Sequence, residues 1–278
     1  MSPTTIRLTA RALALSSAAA LAPAAAGPAY EGFSDYSIGA NVWGLNGGTG
    51  WGGTGWGGDW WDGRLDLQVT APGLTYAGLP TTPGAATAAG APATPPPSGT
   101  WVAWYTRLLS APVGLDNSTL YLSFLLRPEL GQPLSDYGGL NIGDLFIGKS
   151  GINGGSDPRY GLEGPTDSVA PSGVAASPGE TVLLVLKASF LPGNDRFDLF
   201  VNPLPGWLEP TTADATKLNR DLGITTFIAV NNAGNWTIDE IRIGDSFATV
   251  SGAPAPGVPA LLLGGLGVLA ARRGRGRS

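Results

Sequence analysis

Apolar positions recur at alternate residues in short runs along this chain, and each run ends at Gly, Pro, Asn or Asp. In "RLDLQV", Leu65, Leu67 and Val69 alternate with polar neighbours, the period of a half-buried strand. The runs at 100–109, 118–128, 143–149, 181–190, 196–203, 224–232 and 236–244 are rich in β-branched and aromatic residues and read as further strands. Only "TTADATKLNRD" (211–221) resembles a helix, and a short one. Many short strands with turn-rich links and no alternating helices predict an all-β chain, an antiparallel sandwich or barrel. Residues 80–100 hold Pro, Ala, Gly and Thr without charge or large apolar side chains, so they are expected to form a flexible surface loop within the domain.

The two ends follow other patterns. Arg7 and Arg11 precede the apolar run "ALALSSAAALA" and a stretch of small residues before Tyr30. Residues 1–29 therefore read as a helical secretory signal peptide, with cleavage expected near Ala26. At the other end, residues 251–278 contain "APAPGVP", the run "ALLLGGLGVLAA" and the basic "RRGRGRS". The apolar run is a short hydrophobic helix of about a dozen residues, where a bilayer span needs about 20. The arginines would keep that end cytoplasmic, which fits transient contact with the inner membrane rather than a permanent anchor. The body is then residues 30–250.

Composition narrows the chemistry. The 278 residues include no cysteine and no histidine. Disulfides, thiolate sites, cysteine nucleophiles, imidazole bases and imidazole ligands are all excluded. All 21 acidic residues lie in the body, against ten of the 16 basic ones, a net charge of −11. Such a surface repels nucleic acid phosphates and is congenial to calcium.

Two stretches carry candidate sites. "GGTGWGGTGWGGDWWDG" (47–63) satisfies the dinucleotide fingerprint twice, yet no strand precedes it and a strand rather than a helix follows, so a phosphate cradle is not expected. Trp43, Trp51, Trp56, Trp60 and Trp61 either fold inward as a small core or face outward as planar platforms for sugars. In "IDEIRIG", strict alternation sets Ile238, Glu240 and Arg242 on one side and Asp239, Ile241 and Ile243 on the other. Glu240 and Arg242 then form an exposed pair, and Asp239 shares a side with core isoleucines and needs backbone amides, an arginine or a metal ion.

The tripartite tail resembles the PEP-CTERM sorting signal of bacteria that encode an exosortase, with Pro254-Ala255-Pro256 and Pro259 where that family has Pro-Glu-Pro, and with Arg272 and Arg273 opening the basic end. That resemblance implies export, the secretion machinery and an exosortase-type processing enzyme as partners, and a cell-surface or extracellular location. The body resembles concanavalin A-like and laminin-G-like sandwiches through "YEGFSDY", "GLNGGTGW", "LLVLKASF", "DRFDLFVNP" and "IDEIRIGDSF". It implies two packed antiparallel sheets in jelly-roll order and a candidate site for a structural calcium between Glu31 and Asp239, beside the alternative that Asp239 bonds backbone amides or an arginine; no other cofactor is a candidate. Glycoside hydrolases of that class carry Glu-x-Asp-x-x-Glu on one strand, and no such run occurs here. Asp195 and Asp198 fall on opposite sides of a strand, and Asp59, Asp62 and Asp66 read as turn and edge acids. The expectation is a non-catalytic, exosortase-sorted surface or matrix protein with a structural or adhesive role. The alternatives are a carbohydrate-binding module and a polysaccharide-cleaving enzyme, which needs two carboxylates about 5–10 Å apart.

Overall fold

The computed structural model describes residues 28–58, 65–89, 102–151, 157–166 and 168–252. The helices expected in the signal peptide and the hydrophobic tail, and Trp60, Trp61, Pro254, Pro256, Pro259, Arg272 and Arg273, lie outside the described residues. The strands are β1 (Ala29–Glu31), β2 (Gly57–Gly58), β3 (Asp66–Thr70), β4 (Ala85–Ala89), β5 (Val102–Val113), β6 (Ser118–Pro128), β7 (Gly138–Ile142) and β8 (Leu145–Lys149). They continue with β9 (Arg159–Glu163), β10 (Ala170–Ala175), β11 (Val182–Phe190), β12 (Asp195–Val201), β13 (Ala215–Arg220), β14 (Thr225–Ala233) and β15 (Trp236–Gly244), and the single turn α1 (Phe247–Val250) follows.

These strands form two antiparallel sheets, the expected sandwich. One runs β13-β12-β11-β6-β15-β4-β3, with β1 also paired to β15; the other runs β10-β9-β8-β7-β14-β5-β2. The strand at the start of the body thus hydrogen-bonds to the one at its end, Glu31 opposite Ile241. Between the sheets lies the main core, in which Leu122, Phe124, Leu126, Leu184 and Leu186 face Leu140, Ile142, Ile147, Ile228 and Val230. A second cluster covers the outer side of the first sheet: Tyr121, Leu125, Leu183, Val185 and Phe200 pack under Leu74, Leu79, Phe247 and Val250. This explains why β6 and β11 are apolar at successive positions, since both of their faces are buried.

Three sequence-based expectations are corrected. Residues 211–221 are not helical: Ala215–Arg220 is strand β13, because pairing with β12 satisfies its backbone and buries Ala215 and Lys217. Residues 80–100 are not a loop throughout. Ala85–Ala89 is strand β4, with Ala86 and Ala88 in the core, and Thr87 is bonded to Thr70 and Thr237 by hydroxyl contacts of 2.8 Å each. Side chains this small suit a place where little space remains between the sheets. Finally, strict alternation fails in β15. Asp239 faces Leu125 and Arg242 faces Ser123, so three steps on β15 match two on β6. The extra residue is Glu240, which takes φ +53°. This bulge turns Ile238, Ile241 and Ile243 all inward and puts Asp239 on the outer side, opposite to its expected placement among the isoleucines.

The second cluster should matter to stability as much as the first. Leu125→Ala, at a side chain with no exposure, is expected to cost about 3 kcal/mol in urea unfolding, the usual loss for a fully buried leucine.

Candidate functional site

The Gly-Trp loop is folded inward. Trp56 is 1% exposed, stacks on Phe33 at 5.8 Å between centroids, and donates its indole N–H to Glu31 Oε2 at 3.2 Å. The Trp51 indole donates to the Tyr30 carbonyl at 3.0 Å, while Trp43 stays partly exposed at the surface. Arg107, buried on β5, lies between the two indoles, 5.7 Å from Trp51 and 5.8 Å from Trp56. Its guanidinium donates to the carbonyls of Leu45 and Gly47 and to Asn46 Oδ1, each at 2.9 Å. Glycine is required where the loop passes close to other backbone: a Cβ at Gly50 would stand 2.1 Å from the Pro28 carbonyl oxygen, and Gly50 has φ +77°. Trp43, Trp51 and Trp56 therefore form no shared sugar platform.

Glu31 and Asp239 do not meet. Glu31 shares the inner side with Ile241, whereas Asp239 is on the outer side with Leu125. Glu31 accepts from the Phe33 amide at 3.0 Å, the Tyr36 hydroxyl at 2.8 Å and Trp56. Burial pushes its pKa up against those donors and the charge of Arg107. Asp239 accepts from the amides of Leu74 and Glu240 at 2.9 and 2.7 Å. Burial, reinforced by the adjacent Glu240 carboxylate, pushes it up to about 9. Glu240 is itself fully buried, not the exposed partner expected; it accepts from Tyr30 and from the Thr82 amide and pairs with Arg242 at 2.7 Å. Among the described residues no group of three or more acidic side chains is placed to hold a metal ion. Asp195 accepts from the amides of Leu191 and Leu222, Asp198 pairs with Arg196, Asp66 accepts from Asn41, and Asp59 and Asp62 lie outside the described residues.

What alternation in the strands did not single out is a groove of about 500 Å³ on the outer side of the second sheet. Trp104 on β5 stands opposite Asn231 on β14; Asn141 on β7 stands opposite Phe146 on β8, which stands opposite Glu163 on β9. Five adjacent strands contribute, so the row spans roughly 19 Å at the usual strand spacing. Phe227, Leu222, Ile224 and Thr225 complete one wall and Gly164 and Pro165 the other. Asn231 donates to Asn141 Oδ1 at 3.0 Å, while Asn231 Oδ1 and Thr225 Oγ1, both buried in this wall, have no hydrogen-bond partner. Glu163 accepts from the Gly151 amide at 3.0 Å, and Asp144 on the rim is held by Arg220 Nε at 2.9 Å. Alongside this row Gly139, Gly148 and Gly161 stand opposite one another on three strands, leaving bare backbone beside Asn231. The readable signal was "TWVAWYT": with Ala103 and Tyr105 inward, Trp104 has to face out.

No protein-family model matches the sequence, and no curated protein matches it. Among solved structures the chain is similar to an endo-β-1,4-glucuronan lyase from the fungus Trichoderma reesei, at 10% identity and a TM-score of 0.42, over 63% of this chain and 86% of that one. It is also similar to a GH131 β-glucanase catalytic domain from Podospora anserina, at 10% identity and a TM-score of 0.39, over 62% and 76%. An alginate lyase of polysaccharide lyase family 7 is similar at 12% identity and a TM-score of 0.33, over 63% and 74%.

Arg107→Ala leaves Glu31 buried without its nearest positive charge and removes the link between the loop and β5. It should cost about 3 kcal/mol, as for other buried charges that lose a partner, and make tryptophan fluorescence more accessible to acrylamide. Asp239 gives a pH prediction. Its folded pKa lies above its unfolded value near 3.9, so the folded state holds the extra proton and stability from this group falls as pH rises towards about 9. Asp239→Asn cannot ionise, so the stability lead of the wild type over this variant should shrink steadily between pH 5 and pH 9 in urea titrations.

Proposed function

We propose that this is an exported surface or matrix protein whose non-catalytic sandwich, of concanavalin A-like type, adheres to polysaccharide through the groove on its second sheet. One observation carries this reading: the half-buried rings of Trp104 on β5 and Phe227 on β14 share a single groove, floored by buried Phe146, with the paired amides of Asn141 and Asn231. Flat apolar rings match the faces of sugar rings, and fixed amides match their hydroxyls. Binding is favoured over cleavage because both acidic residues in the groove wall already serve the fold, Asp144 holding Arg220 and Glu163 holding the Gly151 amide. Export and sorting rest on the leader pattern and the tripartite tail, through which the secretion machinery, an exosortase-type enzyme and brief membrane contact enter as partners.

Trp104 is half-buried at the end of the row, so its removal should not unfold the sandwich. Trp104→Ala is expected to weaken retention on a polysaccharide array by about tenfold or more, the loss of one stacking ring. The wild type should release no reducing ends and no unsaturated sugar products from any bound glycan. Retention unchanged by the substitution would move the site elsewhere, and product release would make the protein an enzyme.

A further inference from the structure

We infer that the groove takes an uncharged polysaccharide chain and rejects polyuronates, an inference that rests on the glycan-binding reading above. The first ground is charge. Glu163 is 1% exposed in the wall and Asp144 stands on the rim, and no lysine or arginine among the described residues lines the groove. The neighbouring arginine, Arg220, is held by Asp144. A polyuronate brings one carboxylate per sugar; laid along a row that already contains Glu163, it would meet like charge in a partly desolvated setting without a cation to offset the cost. The surrounding body carries 21 acidic residues against ten basic ones, so the long-range field opposes the same ligand.

The second ground is hydrogen bonding. Asn231 Oδ1 and Thr225 Oγ1 are enclosed in the wall without a partner. A buried acceptor left unsatisfied costs about 1–3 kcal/mol, and such groups in a folded protein call for an explanation. Sugar hydroxyls are donors of the right kind for Asn231 Oδ1, and they exchange donor and acceptor roles readily with Thr225 Oγ1. A carboxylate offers acceptors alone, so it is the hydroxyls of a sugar that can meet Asn231 Oδ1. The two grounds are independent: hydrogen bonding selects a hydroxyl-rich chain, and charge selects the uncharged ones among such chains.

The test is native affinity electrophoresis of the full chain at low ionic strength, where charge repulsion is not screened. Gels contain mixed-linkage β-glucan, galactomannan or xyloglucan as uncharged probes, and alginate or polygalacturonate as charged ones. Retardation is expected in at least one uncharged gel and in neither charged gel. Thr225→Val keeps the shape and removes the unpartnered hydroxyl, so its Tm should hold or rise while its retention in the uncharged gel falls about fivefold. A role confined to folding would not separate those two readouts. Retardation by alginate or polygalacturonate equal to that by the uncharged probes, and lost in Trp104→Ala, overturns the selectivity and leaves glycan binding standing. Retention of Thr225→Val equal to wild type overturns the assigned hydroxyl contact. No retardation in any gel overturns glycan binding itself, and the selectivity with it.

Discussion

A guanidinium and a carboxylate enclosed between two sheets need partners, and here the Gly-Trp loop supplies them. Arg107 is buried on β5 and Glu31 on β1, and neither strand offers the donors or carbonyls that their charges require. The loop brings the carbonyls of Leu45 and Gly47, the indole N–H of Trp56 and the faces of two indoles to them. Its glycines follow from that task, since only a chain without side chains can pass within contact of Pro28 and Tyr30 while presenting its carbonyls inward. The loop is therefore a cover that joins the first strand of the body to the second sheet.

The outline of the fold was legible because its central strands obey a simple rule. β6, β11 and β15 appear at the expected positions in runs of branched and aromatic residues. What was not legible depends on partners rather than on local pattern. β4 consists of alanines and one threonine, which carry no strand signal and are held by neighbours on both sides. β9 and β10 contain Gly and Pro, and β13 reads as a helix until β12 stands beside it. The one-residue bulge at Glu240 brings Ile238 to the core side with Ile241 and Ile243 and puts Asp239 on the outer side, and no periodicity announces it.

The same distinction applies to the site. The tryptophans clustered in sequence left packing and sugar stacking both open, and the structure uses two of the described three for packing. The groove instead draws single residues from five strands: Trp104, Asn141, Phe146, Glu163 and Asn231 lie far apart between positions 104 and 231 of the chain and meet only through register. An unremarkable tryptophan whose neighbours both face inward was the available clue.

The two sheets differ in what lies on their outer sides. The first is covered by Leu74, Leu79 and α1, and the described chain leaves the sandwich there, at Ser251 and Gly252 beside Leu79 and Arg242. The groove is on the far side of the molecule. The described chain thus ends on the covered face, and the groove opens on the face from which no described terminus departs.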